Sequence, residues 1–211
     1  RRHTRCREVS WVGDVYKRQT IGCFARDNNS KLNVKHIAFA AMAIALAVAT
    51  SMIKVIKLPM GGSVTLFSML FIVLIGYWYG IKTGLTAALA YGVLQLLLDP
   101  YILNIPQVLL DYILGFGALG LSGIFSKSKH GLVKGYIIGV IGRFICSFLS
   151  GWIFFAVYTP DFFNSAILYS VVYNGSYIGL EAVVTLVVIS LPPVNKALAY
   201  VKNCLLYTSP S

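Results

Sequence analysis

The sequence predicts an all-α membrane protein with six transmembrane helices and cytoplasmic N- and C-termini. Three observations support this fold class. Of the 211 residues, 57% are hydrophobic and 12% are charged, which is about half of the roughly 25% charged share of a soluble domain. Apolar runs close to the length of a bilayer span recur along the chain, and basic residues collect in alternate connections. This composition excludes a disordered chain and argues against a water-soluble globule.

The two ends of the chain do not share the pattern of its middle. Residues 9–19 read VSWVGDVYKRQ and residues 204–211 read CLLYTSPS, and neither stretch has an apolar period. Both resemble translated sequencing adapter, so we set them apart from the fold. We expect a non-native or disordered flank at residues 1–30, one six-helix transmembrane domain at residues 31–203 and a non-native tail at residues 204–211. A genuine basic tail at the N-terminus is the alternative.

The six apolar runs are each long enough, or nearly long enough, to cross a bilayer, which takes about 20 helical residues. In chain order they are Ile37–Ile53, Val64–Ile81, Leu85–Leu98, Val108–Phe125, Gly135–Tyr158 and Ala166–Leu191. Turn-forming stretches separate several of them, namely Pro59-Met60-Gly61-Gly62, Asp99-Pro100, Thr159-Pro160-Asp161 and Leu191-Pro192-Pro193. We therefore expect six helices joined by short connections, without a soluble domain.

The positions of the lysines orient these helices. In a six-helix chain, eight lysines fall on one side of the membrane and two on the other. The first group is Lys31, Lys35, Lys82, Lys127, Lys129, Lys134, Lys196 and Lys202, and the second is Lys54 and Lys57. The excess of basic residues in cytoplasmic connections then places both termini in the cytoplasm and the first, third and fifth connections outside. No basic face remains for nucleic acid, which we do not expect as a partner.

Three ionisable residues fall inside the predicted spans: Asp111, Arg143 and Glu181. Such residues are costly in a membrane and are functional candidates by default. Asp111 follows Pro106, a helix-start signal, by five residues, which places it about 7 Å below the outer end of the fourth helix. No Lys or Arg is near it in sequence. Asp111 could face a cationic ligand, or it could serve as a structural cap or pair.

Arg143 and Glu181 have a structural interpretation at this stage. Arg143 lies in the inner half of the fifth helix, and Glu181 is in the middle of the sixth. Arg143 could direct its guanidinium towards the membrane surface, or the two side chains could pair.

Aromatic residues concentrate at the outer ends of helices three to six. Tyr169, Tyr173 and Tyr177 follow an i, i+4, i+8 pattern on one helix face, next to Asn174. Aromatic faces, an amide and a carboxylate together suit a planar, positively charged heterocycle, which they bind by stacking, hydrogen bonding and cation–π attraction. An interfacial aromatic belt is the alternative explanation for many of these residues.

The first predicted helix is rich in alanine. Two rows of alanines spaced four residues apart run along it, Ala41-Ala45-Ala49 and Ala43-Ala47. Small residues at this spacing let helices approach closely in lipid. The rows could serve internal packing or the docking of another membrane subunit.

Several enzyme and metal signatures are absent from the sequence. It contains no GxxxxGK[ST] loop for ATP, no HExxH or GxSxG motif and no paired cysteines at metal-ligand spacing. We therefore predict neither a metal site nor a cofactor, and no enzymatic activity. A small intramembrane enzyme that uses Asp111 as a general base stays as an alternative, as does a purely structural subunit.

Four segments together resemble one family of transport subunits. They are LPMGGSVTL at residues 58–66, PQVLLDY at residues 106–112, RFICSFLSGWIFF at residues 143–155 and YSVVYNGSY at residues 169–177. In this order they resemble the thiamine-specific substrate-binding subunits (S components) of energy-coupling-factor (ECF) transporters, over residues 32–200. The resemblance implies a six-helix binding subunit in the prokaryotic cytoplasmic membrane. It also implies an outward-facing thiamine pocket and, as partners, a shared transmembrane subunit and two ATPase subunits that make the binding subunit topple.

The resemblance also assigns roles to residues. Asp111 would be the carboxylate that faces the ligand, with Tyr112 beside it. The other pocket residues implied are Tyr101, Ser147, Phe155, Tyr169 and Asn174. Ser147 stands where the family usually has His, so a thiamine precursor or another vitamin stays open as the ligand. The alanine rows of the first helix would dock the transmembrane subunit.

Overall fold

The computed structural model describes residues 34–160 and 163–207. The predicted flank at residues 1–30 lies outside them, as do residues 208–211 of the predicted tail. Residues 204–207 belong to the last helix. The predictions about the origin of both ends therefore stay predictions.

Most of the described chain is helical. The helices are α1 (Val34–Met52), α2 (Ser68–Tyr79), α3 (Ile81–Leu98), α4 (Ile105–Phe125), α5 (Gly131–Phe154), α6 (Ala166–Ser190) and α7 (Pro192–Tyr207), and the strands are β1 (Lys54–Lys57) and β2 (Ser63–Thr65). Helices α1 to α6 coincide in order with the six predicted apolar runs. By length and composition, α3, α4, α5 and α6 can cross a membrane, whereas α1 and α2 are shorter apolar helices. The helical membrane fold is thus confirmed, and the count of six spans stays a prediction.

A short β-hairpin replaces the first residues of the second predicted helix. Strands β1 and β2 are antiparallel, with Lys54 opposite Thr65 and Lys57 opposite Ser63. The turn between them contains Gly61, whose positive φ of 86° favours glycine. The prediction of one helix from Val64 onwards is wrong at its first residues, because this turn folds them back onto β1 and α2 begins only at Ser68.

The interior of the bundle lies around α2 and α4. Several side chains of α2 are fully buried, those of Met69, Ile72, Val73 and Ile75. Because these residues face protein, α2 can be short without exposing its whole length to lipid. Glycines let neighbouring backbones meet: a Cβ built at Gly92 of α3 would lie 2.2 Å from the carbonyl oxygen of Tyr112 in α4. The close packing of α3 on α4 therefore requires a residue without a side chain at Gly92.

Helix α7 was not among the six predicted runs, because it is amphipathic and shorter than a span. It begins at Pro192, a residue suited to a first helical turn. Lys202 anchors it: the ammonium donates to the carbonyl oxygen of Ser126 and lies 3.8 Å from the ring centroid of Tyr77. Partial burial at this contact lowers the pKa of Lys202.

We expect Gly92→Ala to lower the thermal unfolding midpoint of the detergent-purified protein, measured by tryptophan fluorescence. The added methyl group would overlap the Tyr112 carbonyl, and such overpacking costs about 1–3 kcal/mol. The matched control is Gly179→Ala in α6, where nothing lies within 4 Å of the new Cβ. The control should keep or gain stability because Ala favours helix more than Gly does. Equal midpoints for both variants would contradict the close packing of α3 on α4.

Candidate functional site

A cavity lies among the hairpin, α3, α4, α5 and α6. The seven residues predicted to bind a ligand all line it: Tyr101, Asp111, Tyr112, Ser147, Phe155, Tyr169 and Asn174. They come from three helices and from the connections that follow α3 and α5. The structure therefore brings together residues that are up to 73 positions apart in the sequence. Their contact with a ligand stays a prediction.

Asp111 sits in an irregular part of α4. Residues Leu109–Leu114 form a wider π-helical turn, a feature that is frequent at functional sites. One carboxylate oxygen, Oδ2, accepts hydrogen bonds from Gln107 Nε2 and Ser150 Oγ, both at 2.7 Å. The other oxygen, Oδ1, accepts none from the described chain. Asp111 is thus held in place through one oxygen and keeps the second for other contacts.

Gln107 connects Asp111 to the loop before α4. Gln107 is 1% exposed. Its Nε2 also donates to the carbonyl oxygen of Tyr101, and its Oε1 accepts from the backbone N–H of Leu103. The helix begins here because the side chain of Asn104 caps it, accepting from the backbone N–H of Gln107 at 2.9 Å. Sequence reasoning missed Gln107 and Ser150. The signal for Gln107 was its position one helical turn before Asp111.

Aromatic rings form the wall next to Asp111. Tyr101 stacks on Phe155, with ring centroids 5.7 Å apart. The hydroxyl of Tyr112 accepts from the backbone N–H of Tyr101 and donates to the carbonyl oxygen of Asp99, both at 2.9 Å. These bonds fix the Tyr101 backbone, so the stacked pair is held at one place on the wall.

The tyrosine pattern predicted on the sixth helix forms a ladder of rings. Centroids are 5.7 Å apart from Tyr169 to Tyr173 and 5.8 Å apart from Tyr173 to Tyr177. Asn174, which is 5% exposed, is oriented by its own helix. Its amide donates to the carbonyl oxygen of Ser170 at 3.0 Å, and its Oδ1 accepts from the Tyr177 hydroxyl at 2.9 Å. The ladder and the amide thus present one ordered face.

Tyr173 also holds the hairpin over the cavity. Its hydroxyl accepts from the backbone N–H of Gly62 at 3.0 Å and donates to the carbonyl oxygen of Pro59. At the rim, Lys54 of β1 forms an ion pair with Asp99 after α3. The hairpin is therefore fastened to α6 and to the end of α3.

Charged and polar groups lie at two depths in this cavity. Asp111 accepts from Ser150 at the upper depth. Ser170 on α6 donates separately to the carbonyl oxygen of Phe148 on α5. Arg143 precedes Ser150 by seven residues on α5, which is about 10 Å along a helix. Its guanidinium lies 3.8 Å from the ring centroid of Phe116. This lower depth forms the floor of the cavity.

No ion pair joins Arg143 to Glu181, although both line the floor and pairing was one of the possibilities above. Glu181 instead accepts from Thr65 Oγ1 at 2.7 Å, Ser68 Oγ at 3.2 Å and the backbone N–H of Met69 at 3.3 Å. The start of α2 has free N–H groups and no side-chain cap of its own, so the carboxylate is satisfied there. The guanidinium atoms Nε and NH1 of Arg143 are buried without a hydrogen-bond partner.

The two alanine rows of α1 face different ways. Ala43 and Ala47 are buried, at 6% and 0% exposure, and belong to the packed interior. Ala41, Ala45 and Ala49 are exposed. Burial leaves the first pair no surface for a partner subunit, so only the second row can serve the predicted docking.

Comparisons with known proteins agree on one family. A family model described as thiamine transporter protein (Thia_YuaJ) matches residues 37–200. The thiamine transporter ThiT of Bacillus subtilis is 33% identical over 181 residues, which cover 78% of this chain and 92% of that protein. The thiamine transporter ThiT of Lacticaseibacillus paracasei is 29% identical over 129 residues, covering 53% and 64%. A solved structure of ThiT from Listeria monocytogenes matches with a TM-score of 0.64 at 23% identity, covering 76% of this chain and 96% of that one, and it supports the fold.

We expect Glu181→Gln to lower the thermal unfolding midpoint by the equivalent of about 1–3 kcal/mol. Glutamine has one acceptor oxygen where the buried carboxylate serves three donors, and an unmet buried donor carries a cost of this size. The control is Asp99→Asn, which removes a carboxylate that is 56% exposed and belongs to a type of pair worth about 0–1 kcal/mol. If the two variants unfold at the same temperature, the bonds to Thr65, Ser68 and Met69 do not support the fold as argued.

Proposed function

The chain belongs to the thiamine transporter protein family, so it is a transport protein of the bacterial cytoplasmic membrane and not an enzyme, and from this premise we propose that it binds thiamine in the cavity around Asp111. We propose further that it does so as the substrate-binding subunit of an ECF-type importer. The resemblance seen in the sequence is confirmed at the level of the family.

One observation carries the binding proposal: a carboxylate with a free oxygen stands beside stacked aromatic rings. Thiamine contains a thiazolium ring with a permanent positive charge. Oδ1 of Asp111 would be its counter-ion, and the Tyr101–Phe155 pair and the tyrosine ladder would offer ring faces to it. A carboxylate in this apolar setting interacts with a cation more strongly than it would in water.

A second ligand stays possible within the same function. Ser147 is 7% exposed and lines the cavity where the resemblance implies His. Serine keeps a hydroxyl for hydrogen bonding but offers no ring face. This substitution favours a ligand related to thiamine, such as a precursor, as the alternative.

For the topology, we propose six spans with both termini in the cytoplasm. The hairpin and the cavity mouth would then face outwards. Only Lys54 and Lys57 are assigned to the outer side, against eight lysines on the inner side, and this bias is the one that the rule depends on. Helix α2 rises only about 18 Å over its 12 residues, and its burial among other helices allows a short span.

The energy for transport would come from partners. The sequence has no ATP-binding loop of the GxxxxGK[ST] type. We propose that an ECF transmembrane subunit with two ATPase subunits supplies it, and that the exposed row Ala41-Ala45-Ala49 docks that subunit. Small residues four apart on a lipid-facing helix allow the close helix approach that this contact would need.

We expect Asp111→Asn to weaken thiamine binding by roughly 10- to 150-fold. Loss of a charge-assisted contact costs about 1.5–3 kcal/mol. Affinity would be measured by titrating thiamine into the detergent-purified chain and following tryptophan fluorescence. The control is Asp99→Asn at the rim, whose charge is already met by Lys54 and which should change affinity less than about threefold. Unchanged thiamine affinity in a folded Asp111→Asn variant would contradict the role of the carboxylate.

We expect Ala45→Leu to keep thiamine binding and to lose co-purification with the transmembrane subunit and its ATPases. A leucine on the exposed row would hold the partner helix away. Ala90→Leu on α3 is the control, since Ala90 is also exposed but lies outside the row. Co-expression with the partner subunits, followed by pull-down, measures the outcome. Complexes of equal yield from both variants would exclude this face of α1 as the docking site.

A further inference from the structure

The β-hairpin has two faces of opposite character. In an antiparallel pair, residues directly opposite each other project their side chains to the same face, and successive residues of a strand alternate between faces. Lys54 is opposite Thr65, and Lys57 is opposite Ser63. Lys54, Ser63 and Thr65 all line the cavity, and Thr65 donates to the buried Glu181. This face of the hairpin is therefore polar and directed towards the cavity.

The other face of the hairpin is apolar. Ile56 is opposite Val64, and the pairing shifts by one residue between Lys54 and Ile56. Such a bulge sets two residues of one strand, here Val55 and Ile56, against one residue of the other strand. Val64 is buried, whereas Val55 is 61% and Ile56 45% exposed. An antiparallel sheet that faces water carries polar residues on its outward face, so this face is not built for contact with water.

The apolar face continues the exposed surface of α1. Met42, Leu46 and Met52 of this helix are exposed, and so is Ile53, which joins α1 to β1. Contiguous exposed apolar surface marks a site of contact with a membrane or with another protein. In a membrane-spanning chain, the exposed side of α1 meets lipid, and the hairpin extends that side beyond the end of the helix.

Helix lengths set the height of the hairpin in the membrane. Helix α2 has 12 residues and rises about 18 Å, and the two residues between it and β2 add at most about 7 Å. With the inner end of α2 at the cytoplasmic boundary of the hydrocarbon core, which is about 30 Å thick, the base of the hairpin lies roughly 5–10 Å below the outer boundary. The four residues of β1 span about 13 Å, so the hairpin crosses that boundary.

This height also suits the polar groups of the hairpin. Strand β1 pairs with β2 alone in the sheet that the structure describes, so the backbone groups on its free edge need other partners. The centre of the hydrocarbon core offers none, whereas water and lipid headgroups are available at its boundary. The long stems of Lys54 and Lys57 allow their ammonium groups to stay in that polar layer.

We propose that the apolar face of the hairpin, formed by Val55 and Ile56, lies against the lipid acyl chains at the outer boundary of the membrane. The hairpin then separates the cavity from lipid, with its polar face towards the ligand and its apolar face towards the acyl chains. This contact goes beyond the proposed function, because it requires neither a particular ligand nor a partner subunit. It rests on the proposed topology only for which side of the membrane the hairpin meets.

The test measures what surrounds this face when the full chain is alone in a membrane. The four cysteines are replaced by serine, and Val55→Cys or Ile56→Cys is labelled with an environment-sensitive fluorophore. Each labelled chain is reconstituted at one copy per lipid nanodisc, which excludes a second copy and partner subunits. Quenching is measured with iodide in the water and with a lipid that carries a nitroxide on its acyl chain near the headgroup. Leu46→Cys on α1 is the lipid-facing control, and Ser128→Cys, exposed between α4 and α5, is the water-facing control.

We expect the nitroxide lipid to quench the labels at positions 55 and 56 within about twofold of the label at position 46, as for side chains at the headgroup–acyl boundary. Iodide should quench them at least about threefold less than the label at position 128. Iodide quenching equal to that at position 128 would overturn the proposal, because the face would then lie in water. Protection from both quenchers would also overturn it, because protein would then cover the face.

The unmodified chain gives a second readout if the labelled variants do not fold. A lipid with a photoreactive diazirine on its acyl chain near the headgroup should form adducts on Val55 or Ile56, located by mass spectrometry. Adducts on α1 without any on these two residues would overturn the proposal. Thiamine titrated into the same nanodiscs tests the proposed function separately, so a failure of lipid contact and a failure of binding can be told apart.

Discussion

The hydrogen bonds of Glu181 hold the cavity together. This carboxylate of α6 joins β2 through Thr65 and the first turn of α2 through Ser68 and Met69. It thereby acts as a cap for a helix that has none of its own. Because the hairpin precedes α2 directly, the same bonds fix where the hairpin ends. A buried carboxylate is tolerated here because three donors satisfy it.

Asp111 is also held by hydrogen bonds from neighbouring side chains, but these bonds engage only one of its two oxygens. Gln107 and Ser150 hold Asp111 through one oxygen, and the cap at Asn104 sets the start of the helix that carries it. Glu181 is fully engaged by the protein, whereas Asp111 and Arg143 each keep polar atoms that the described chain does not meet. The three charged groups therefore differ in how many hydrogen-bond partners the protein gives them, although all three are buried or half-buried in the same bundle.

The sequence predicts the parts of this fold whose signals are local. Apolar runs locate the helices, the i, i+4, i+8 tyrosines give the ladder, and the family resemblance collects the cavity residues. The hairpin was missed because its strands are only four and three residues long. The bonds of Glu181 to Thr65 and of Tyr173 to Gly62 join residues more than 100 positions apart. No periodic pattern along one helix reports such contacts, so the partners of Glu181 and Arg143 became visible only in three dimensions.

The strengths of the contacts that hold the hairpin differ between its two ends. At the base, the buried Glu181 receives three hydrogen bonds, and losing one partner of such a group costs about 1–3 kcal/mol or more. The ion pair of Lys54 with the exposed Asp99 lies at this same end, since Lys54 is opposite Thr65, and it belongs to a class worth about 0–1 kcal/mol. At the tip, the hairpin is held by two hydrogen bonds to the hydroxyl of Tyr173. The base of the hairpin is therefore joined to α6 and to the end of α3, whereas its tip depends on one side chain of α6.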